Sequence, residues 1–190
     1  MIRTKLLETI KCLDGSVFNL DYHQDRVNLS RSKLGFNNTL ELKLNPPKNG
    51  LYRCRIIYEN EIETLEYLPY HIKDIHSFKL LDSNISYKLK YENRDELNAL
   101  VAKKEEADEI IIIKDGLITD TSIANLCFYD GKEWITPKTP LLKGTTRQRY
   151  LDAGKIKMAD IYAKDIREYA KIATMNAMVD FYIIENAIIL

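Results

Sequence analysis

Gly116-Leu117-Ile118-Thr119-Asp120-Thr121-Ser122-Ile123-Ala124-Asn125-Leu126 is the stretch on which the reading of this chain turns. The apolar run Glu109 to Lys114 ahead of it predicts a buried strand, and Ala124 to Tyr129 behind it predicts another. Thr119-Asp120-Thr121-Ser122 is then a polar turn between strands, with one carboxylate in it. Upstream lies Tyr87-Lys88-Leu89-Lys90-Tyr91-Glu92-Asn93-Arg94, which offers an amine at Lys90, and downstream lies Leu142-Lys143-Gly144-Thr145-Thr146-Arg147. Amine, carboxylate and glycine turn come in a fixed order.

Those three parts point to pyridoxal phosphate. A lysine holds the cofactor aldehyde as a Schiff base when desolvation or nearby charge leaves its amine neutral, and Lys90 is the candidate. A carboxylate facing the pyridine nitrogen keeps the ring protonated and electron-withdrawing, a role that suits Asp120. A phosphate needs backbone N–H donors, which Gly144, Thr145 and Thr146 supply if they open a helix.

The run from Gly116 to Arg147, with Ile118-Thr119-Asp120, Asn125-Leu126, Thr136-Pro137 and Gly144-Thr145-Thr146-Arg147, resembles the class IV aminotransferases, the fold-type IV pyridoxal phosphate enzymes. Leu7-Glu8-Thr9-Ile10, Asp14-Gly15, His23 and Arg26 near the start, and Asn176-Ala177-Met178 near the end, extend the resemblance over nearly the whole chain. The resemblance implies that Arg26, from His-x-x-Arg, grips the cofactor phosphate with its planar fork. Lys90, Asn93 and Arg94, together with Asn176-Ala177-Met178, look more like the 4-amino-4-deoxychorismate lyases than like the transaminases of branched-chain or D-amino acids.

Two departures stand out. Asp120 occupies a position where the family has glutamate, so its carboxylate is one methylene shorter. The chain is also shorter than is usual in the family, and the missing segments include the first strand of the small domain and part of its interior.

Composition narrows the field further. With 190 residues and 45% hydrophobic content the chain can bury a sizeable core as one large domain or two small ones. Lysine plus arginine equal aspartate plus glutamate at 28 each, which argues against nucleic acid and against an anionic membrane surface as partners. Cys12, Cys54 and Cys127 are odd in number and widely spaced, without metal-ligand spacing, so we expect a reducing cytoplasm and no metal. No apolar run is long enough to span a bilayer, and the start of the chain lacks the core of a secretion signal.

Along the chain, residues 1–76 read as a small α/β domain and 77–190 as a larger cofactor-binding domain of barrel-like strands with helices. The first contains a hairpin of Lys5 to Cys12 and Val17 to Leu20 about Asp14-Gly15, a helix from Tyr22 to Leu34, and a second hairpin of Leu51 to Tyr58 with Glu61 to Tyr67. The second contains a strand from Ser77 to Leu81 and a helix from Arg94 to Ala107, then the strands flanking Asp120 and Trp134 to Thr136. A helix follows the Gly144 turn, another runs from Asp165 to Met175, and a terminal strand spans Phe181 to Leu190.

Each of these residues also has a plainer reading. Lys90 could be a solvated surface lysine, with Lys88 as a fallback on the same face of a strand. Asp120 could merely cap a turn, and Thr145 or Thr146 a helix. Arg26 could be a surface charge, and His23 is read as structural. Arg94 either neighbours the cofactor phenolate oxygen or pairs with Glu92 or Asp95, while Asn176 and Ala177 are phosphate-side candidates. For the substrate, Thr9, Arg53 and Arg55 could line the pocket, since arginine suits a carboxylate, or β-strand charges could simply decorate an exposed edge.

The resemblance implies a homodimeric, mixed α/β enzyme with pyridoxal 5'-phosphate between its two domains. It would convert 4-amino-4-deoxychorismate into 4-aminobenzoate and pyruvate in folate biosynthesis. A transaminase of branched-chain or D-amino acids uses the same cofactor residues. A shortened, non-catalytic relative serving in binding or assembly is the reading from a different class.

Overall fold

The computed structural model describes residues 4–190, and these divide into two compact units. The first runs to Ile72 and takes in Leu89–Asn93; the second comprises Lys73–Lys88 and Arg94–Leu190. The segment carrying Lys90 therefore groups with the first unit, across the division at residue 76 drawn from the sequence.

In the first unit β1 (Leu6–Leu13) and β2 (Ser16–Val17) form a hairpin, followed by α1 (Leu20–Lys33), β3 (Leu51–Tyr58) and β4 (Ile62–Pro69). The hairpin turns at Asp14 and Gly15, which both take positive φ (47° and 79°), the geometry that matches the right-handed twist of the flanking strands. The sheet order is β2-β1-β3-β4, all antiparallel, with Glu8 opposite Ile56 and Thr9 opposite Arg55. Strand alternation sends Leu6, Ile10, Cys12, Cys54, Ile56 and Tyr58 to one face, where they pack with Val27 of α1 and with Leu42 and Leu89. The α1 helix buries polar residues as well as Val27: His23 and Arg31 are both inside. Arg31 spends its guanidinium on the carbonyls of Asn38, Glu59 and Asn60 and on the Asn38 side chain, tying the helix end to two loops.

In the second unit β5 (Ser77–Asp82) leads through α2 (Asp95–Val101) to β6 (Glu109–Lys114), which pairs parallel with β5. Then come β7 (Leu117–Ile118), β8 (Asn125–Tyr129), β9 (Trp134–Pro137), α3 (Thr145–Asp152), β10 (Lys157–Ala159), a 3-10 turn (Ala163–Glu168), β11 (Lys171–Asn176), β12 (Asp180–Ile184) and β13 (Ile188–Ile189). They build a five-stranded sheet, β10-β9-β8-β11-β12, and a four-stranded sheet, β13-β5-β6-β7. The strands β8 and β11 are buried on both faces. Leu126, Phe128 and Ile172 join the main core with Phe78, Ile111, Ile113 and Ile118, while Cys127, Ala173 and Met175 pack with Ile156 under the aromatic rings of Trp134, Tyr150 and Phe181.

Three expectations from the sequence need correction. The segment from Asp165 to Met175 is a 3-10 turn followed by β11, because Ile172 to Met175 are buried from both sides by β8 and β12, a placement that overrides local helix preference. The helix expected from Arg94 to Ala107 stops at Val101. Leu97 and Leu100 are its buried residues, the charged Lys103 to Glu106 have no apolar face to contribute, and Glu105 turns the chain with φ 53°. The terminal strand breaks into two at Asn186 (φ 52°), and β13 leaves β12's sheet to pair with β5.

Candidate active site

In the first unit, β1 leaves part of its edge uncovered by β2, and residues 90–92 occupy it. The Leu7 amide donates to the Lys90 carbonyl at 2.8 Å, the Glu92 amide donates to the Lys5 carbonyl at 2.9 Å, and Leu6 bridges Tyr91. Tyr91 packs toward the core, so alternation puts Lys90 on the opposite face of the sheet, with Leu7, Thr9, Arg53 and Arg55. Lys90 is half-buried and Lys88 is exposed at a bend; no strand joins the two, which removes the reason for treating them as equivalent.

On that face the two arginines differ. Arg55 is held by Glu66 (3.4 Å) and Glu92 (3.3 Å). Arg53 lies 5.9 Å over the Tyr70 ring, and its Nε is buried without a hydrogen-bond partner. Both sit on β3, an interior strand of its sheet, so the edge-strand reading of their alternation does not apply.

Arg26 projects from α1 onto Glu8 of β1. Its Nε donates to Oε1 at 2.7 Å and its Nη2 to Oε2 at 2.5 Å, while the His23 ring meets Oε2 at 2.6 Å. Glu8 is fully buried. Burial alone would raise its carboxyl, but the Arg26 charge and the hydrogen bonds from His23 and Arg26 outweigh it and hold the pKa at about 2. Leu7-Glu8-Thr9-Ile10, His23 and Arg26 all carried the resemblance in the sequence, but Glu8, the carboxylate that joins the last two, had no role read for it.

In the second unit Asp120 follows β7 in the turn before β8 and is buried. Its Oδ1 accepts from Asn125 Nδ2 at 2.7 Å and its Oδ2 from the Leu142 amide at 2.9 Å. Burial pushes the Asp120 carboxyl up to about 7, against the pull of the Leu142 and Asn125 donors and of the Arg147 charge. The rest of the turn is held just as closely. Thr121 Oγ1 accepts the amides of Ile123 and Ala124, Ser122 donates its hydroxyl to buried Glu109, and Arg94 Nη2 donates to the Ser122 carbonyl at 2.8 Å. Arg94 also lies 6.0 Å from the Tyr87 ring.

Gly144 immediately precedes α3, and the helix's first hydrogen bond runs from Gln148 back to Gly144, so the amides of Thr145 and Thr146 have no partner within the helix. Gly144 has ordinary extended backbone (φ −71°, ψ 149°), so its lack of a side chain matters for space alone: a Cβ there would overlap Asn125 Oδ1. Thr145, Thr146 and Arg147 are buried, and Arg147 anchors the helix by donating to the Pro137 carbonyl at 2.8 Å. At the end of β11, Asn176 caps its own turn by accepting the amides of Met178 and Val179, with Ala177 in that turn. Sequence reading assigned no role to Asn125 or Arg147, although both stand in the quoted motifs. Among the described residues, no group of His, Cys, Asp and Glu could hold a metal, and no helix is long and apolar enough to cross a membrane.

The first unit thus carries a half-buried lysine on a sheet face, and the second carries a buried carboxylate in a braced turn and a glycine-opened helix start, on a mixed α/β fold. The chain belongs to the class IV amino-transferase family, whose model matches residues 64–187. It is 40% identical over 182 residues to an uncharacterized protein of Haemophilus influenzae, covering 91% of this chain and 97% of that one. A Haemophilus somnus structure, provisionally titled a 4-amino-4-deoxychorismate lyase, superposes with a TM-score of 0.84 at 38% identity, covering 94% of this chain and 98% of the other. A Schizosaccharomyces pombe protein, provisionally named an aminodeoxychorismate lyase, is 28% identical over 82% of this chain and 77% of its own length. The short format is thus shared with the two Haemophilus relatives.

Proposed function

We propose that this chain binds pyridoxal 5'-phosphate and splits 4-amino-4-deoxychorismate into 4-aminobenzoate and pyruvate, a step of folate synthesis carried out in the cytoplasm by a homodimer. The residues fit the cofactor. A turn that tolerates no side chain opens a helix whose first amides the helix leaves unpaired, and a buried carboxyl raised by desolvation gains from a cationic ring nitrogen beside it. Bound cofactor supplies an aldehyde for an amine and a ring that withdraws electrons.

In this reading Thr145 and Thr146 hold the phosphate with their amides, and Arg26, Asn176 and Ala177 serve the phosphate side. Asp120 would serve the ring nitrogen, and Arg94 would serve the phenolate oxygen. Lys90 Nζ would hold the cofactor aldehyde and would yield that place to the substrate amine. Lys90 Nζ then takes the proton from the carbon bearing that amine; the bond from the neighbouring ring carbon to the enolpyruvyl oxygen breaks, and the departing group becomes pyruvate on gaining a proton at its methylene carbon. Thr9, Arg53 and Arg55 bind the substrate.

The observation that carries the lyase reading is Arg53. Its half-buried guanidinium keeps an unpaired Nε on the same sheet face as Lys90, where a substrate with two carboxylates needs a cation in addition to the amine-binding group. The identity to proteins provisionally named as such lyases supports the same choice.

Incubation with 4-amino-4-deoxychorismate tests it: 4-aminobenzoate and pyruvate are expected in equal amounts. Accumulation of pyridoxamine phosphate with a keto acid, from a branched-chain or D-amino acid, identifies a transaminase instead. A preparation that takes up no cofactor, and fixes none on borohydride reduction, identifies a non-catalytic relative. Lys90→Ala should abolish covalent fixation of the cofactor by borohydride, and Arg53→Met should raise KM at least tenfold with a smaller change in kcat. Light scattering should give twice the 22.1 kDa chain mass.

A further inference from the structure

Asn125 occupies the start of β8, is 5% exposed, and makes more contacts than a strand residue needs. One Nδ2 proton goes to Asp120 Oδ1 at 2.7 Å and the other to the Leu142 carbonyl at 2.8 Å. The Leu142 amide returns to Asp120 Oδ2 at 2.9 Å, which closes a ring of three hydrogen bonds through Asp120, Asn125 and Leu142. The remaining polar atom, Oδ1, lies against Gly144 so closely that a methyl group there has no room. Asn125 is therefore bonded to the carboxylate on one side and in contact with the glycine turn on the other.

We infer that Asn125 is a positioning residue that locks the Asp120 carboxylate and the turn opening α3 into one unit, so that an anion at that turn is bound with an affinity that depends on Asp120. The inference rests on the cofactor reading above. The amide is the side chain the geometry requires. It needs two donors from one planar group, so aspartate would set a second carboxylate against Asp120, and leucine of similar size would leave buried Asp120 Oδ1 and the part-buried Leu142 carbonyl without that donor. The far side of the Asp120 turn is already fixed, by Thr121 and by Ser122 with Glu109 and Arg94. Asn125 therefore moves with Asp120, and the Gly144 turn is the part that loosens when the amide is lost.

The test uses the full chain and inorganic phosphate, titrated calorimetrically, with pyridoxal phosphate uptake and borohydride fixation on Lys90 followed separately. Asn125→Ala should weaken phosphate binding at least tenfold, although its side-chain protons are spent on Asp120 and Leu142. Asp120→Asn should weaken phosphate in the natural background and add little in the Asn125→Ala background, the non-additivity expected of one unit. If Asn125→Ala fails to fold, Gly144→Ala strains the same contact from the other side and should give the same loss. Phosphate affinity unchanged in a folded variant, or additive losses in the double variant, overturns the inference while pyridoxal phosphate fixation on Lys90 leaves the cofactor reading standing. A natural protein that fixes no pyridoxal phosphate overturns both.

Discussion

At the scale of single residues, the clearest gap between sequence and structure is Glu8. Its neighbours in the motif drew attention as a resemblance, yet nothing in the sequence says that a glutamate on one strand meets a histidine and an arginine one helical turn apart on α1. Only packing brings them together, and once buried the three cannot be separated cheaply: removing one partner of such a group costs about 3–5 kcal/mol. Arg26→Ala should therefore lower stability by that order in urea melts, whatever it does to phosphate. The pH dependence follows from the direction of the shift. The Glu8 carboxyl lies near 2 in the folded protein and near 4.5 when free, so its stabilising contribution is full above about pH 4.5 and is lost as pH falls toward 2. Glu8→Gln should remove that acid limb, and an unchanged acid melt in the variant would contradict the assignment.

Among the elements, the hairpins, β3, β6 and α3 were legible because each carries its own signal: a turn with positive φ at Asp14 and Gly15, alternation through Cys54 and Ile56, an unbroken isoleucine run, a glycine before a helix. The β11 strand has no such signal. Ile172, Ala173, Thr174 and Met175 are all buried, so neither period shows, and their state is set by the ladders to β8 and β12. That placement predicts where the second unit is vulnerable. Met175→Ala, which empties a site packed under the aromatic rings, should cost about 2–5 kcal/mol in urea unfolding, while Lys171→Ala at the exposed end of the same strand should fall within about 0.5 kcal/mol of the natural protein. Equal losses at the two positions would mean that β11 is not an interior strand of its sheet.

For the whole molecule, the buried carboxyl of Asp120 links stability, pH and the proposed ligand. Its pKa is raised from 3.8 to about 7, so the folded chain holds a proton there that the unfolded chain releases. Stability without ligand should accordingly decline as pH rises from about 4 to 7, by up to about 4 kcal/mol, and Asp120→Asn should flatten that slope. Saturating pyridoxal phosphate should restore stability most above pH 7, where the carboxylate is charged and a cationic ring opposes it; a thermal shift independent of pH would remove Asp120 from contact with the ring. The sequence by itself determined the kinds of group present and their order: a lysine, an acidic turn and a glycine-threonine turn, on strands whose periodicity is local. Tertiary structure alone decided that Lys90 sits half-buried on a sheet face while Lys88 is exposed, that Arg55 is paired with glutamates while the Arg53 Nε is buried without a partner, and that Asn125 joins the acid to the glycine turn. Burial and hydrogen-bond partners depend on residues far apart in the chain, and short-range pattern carries no record of them.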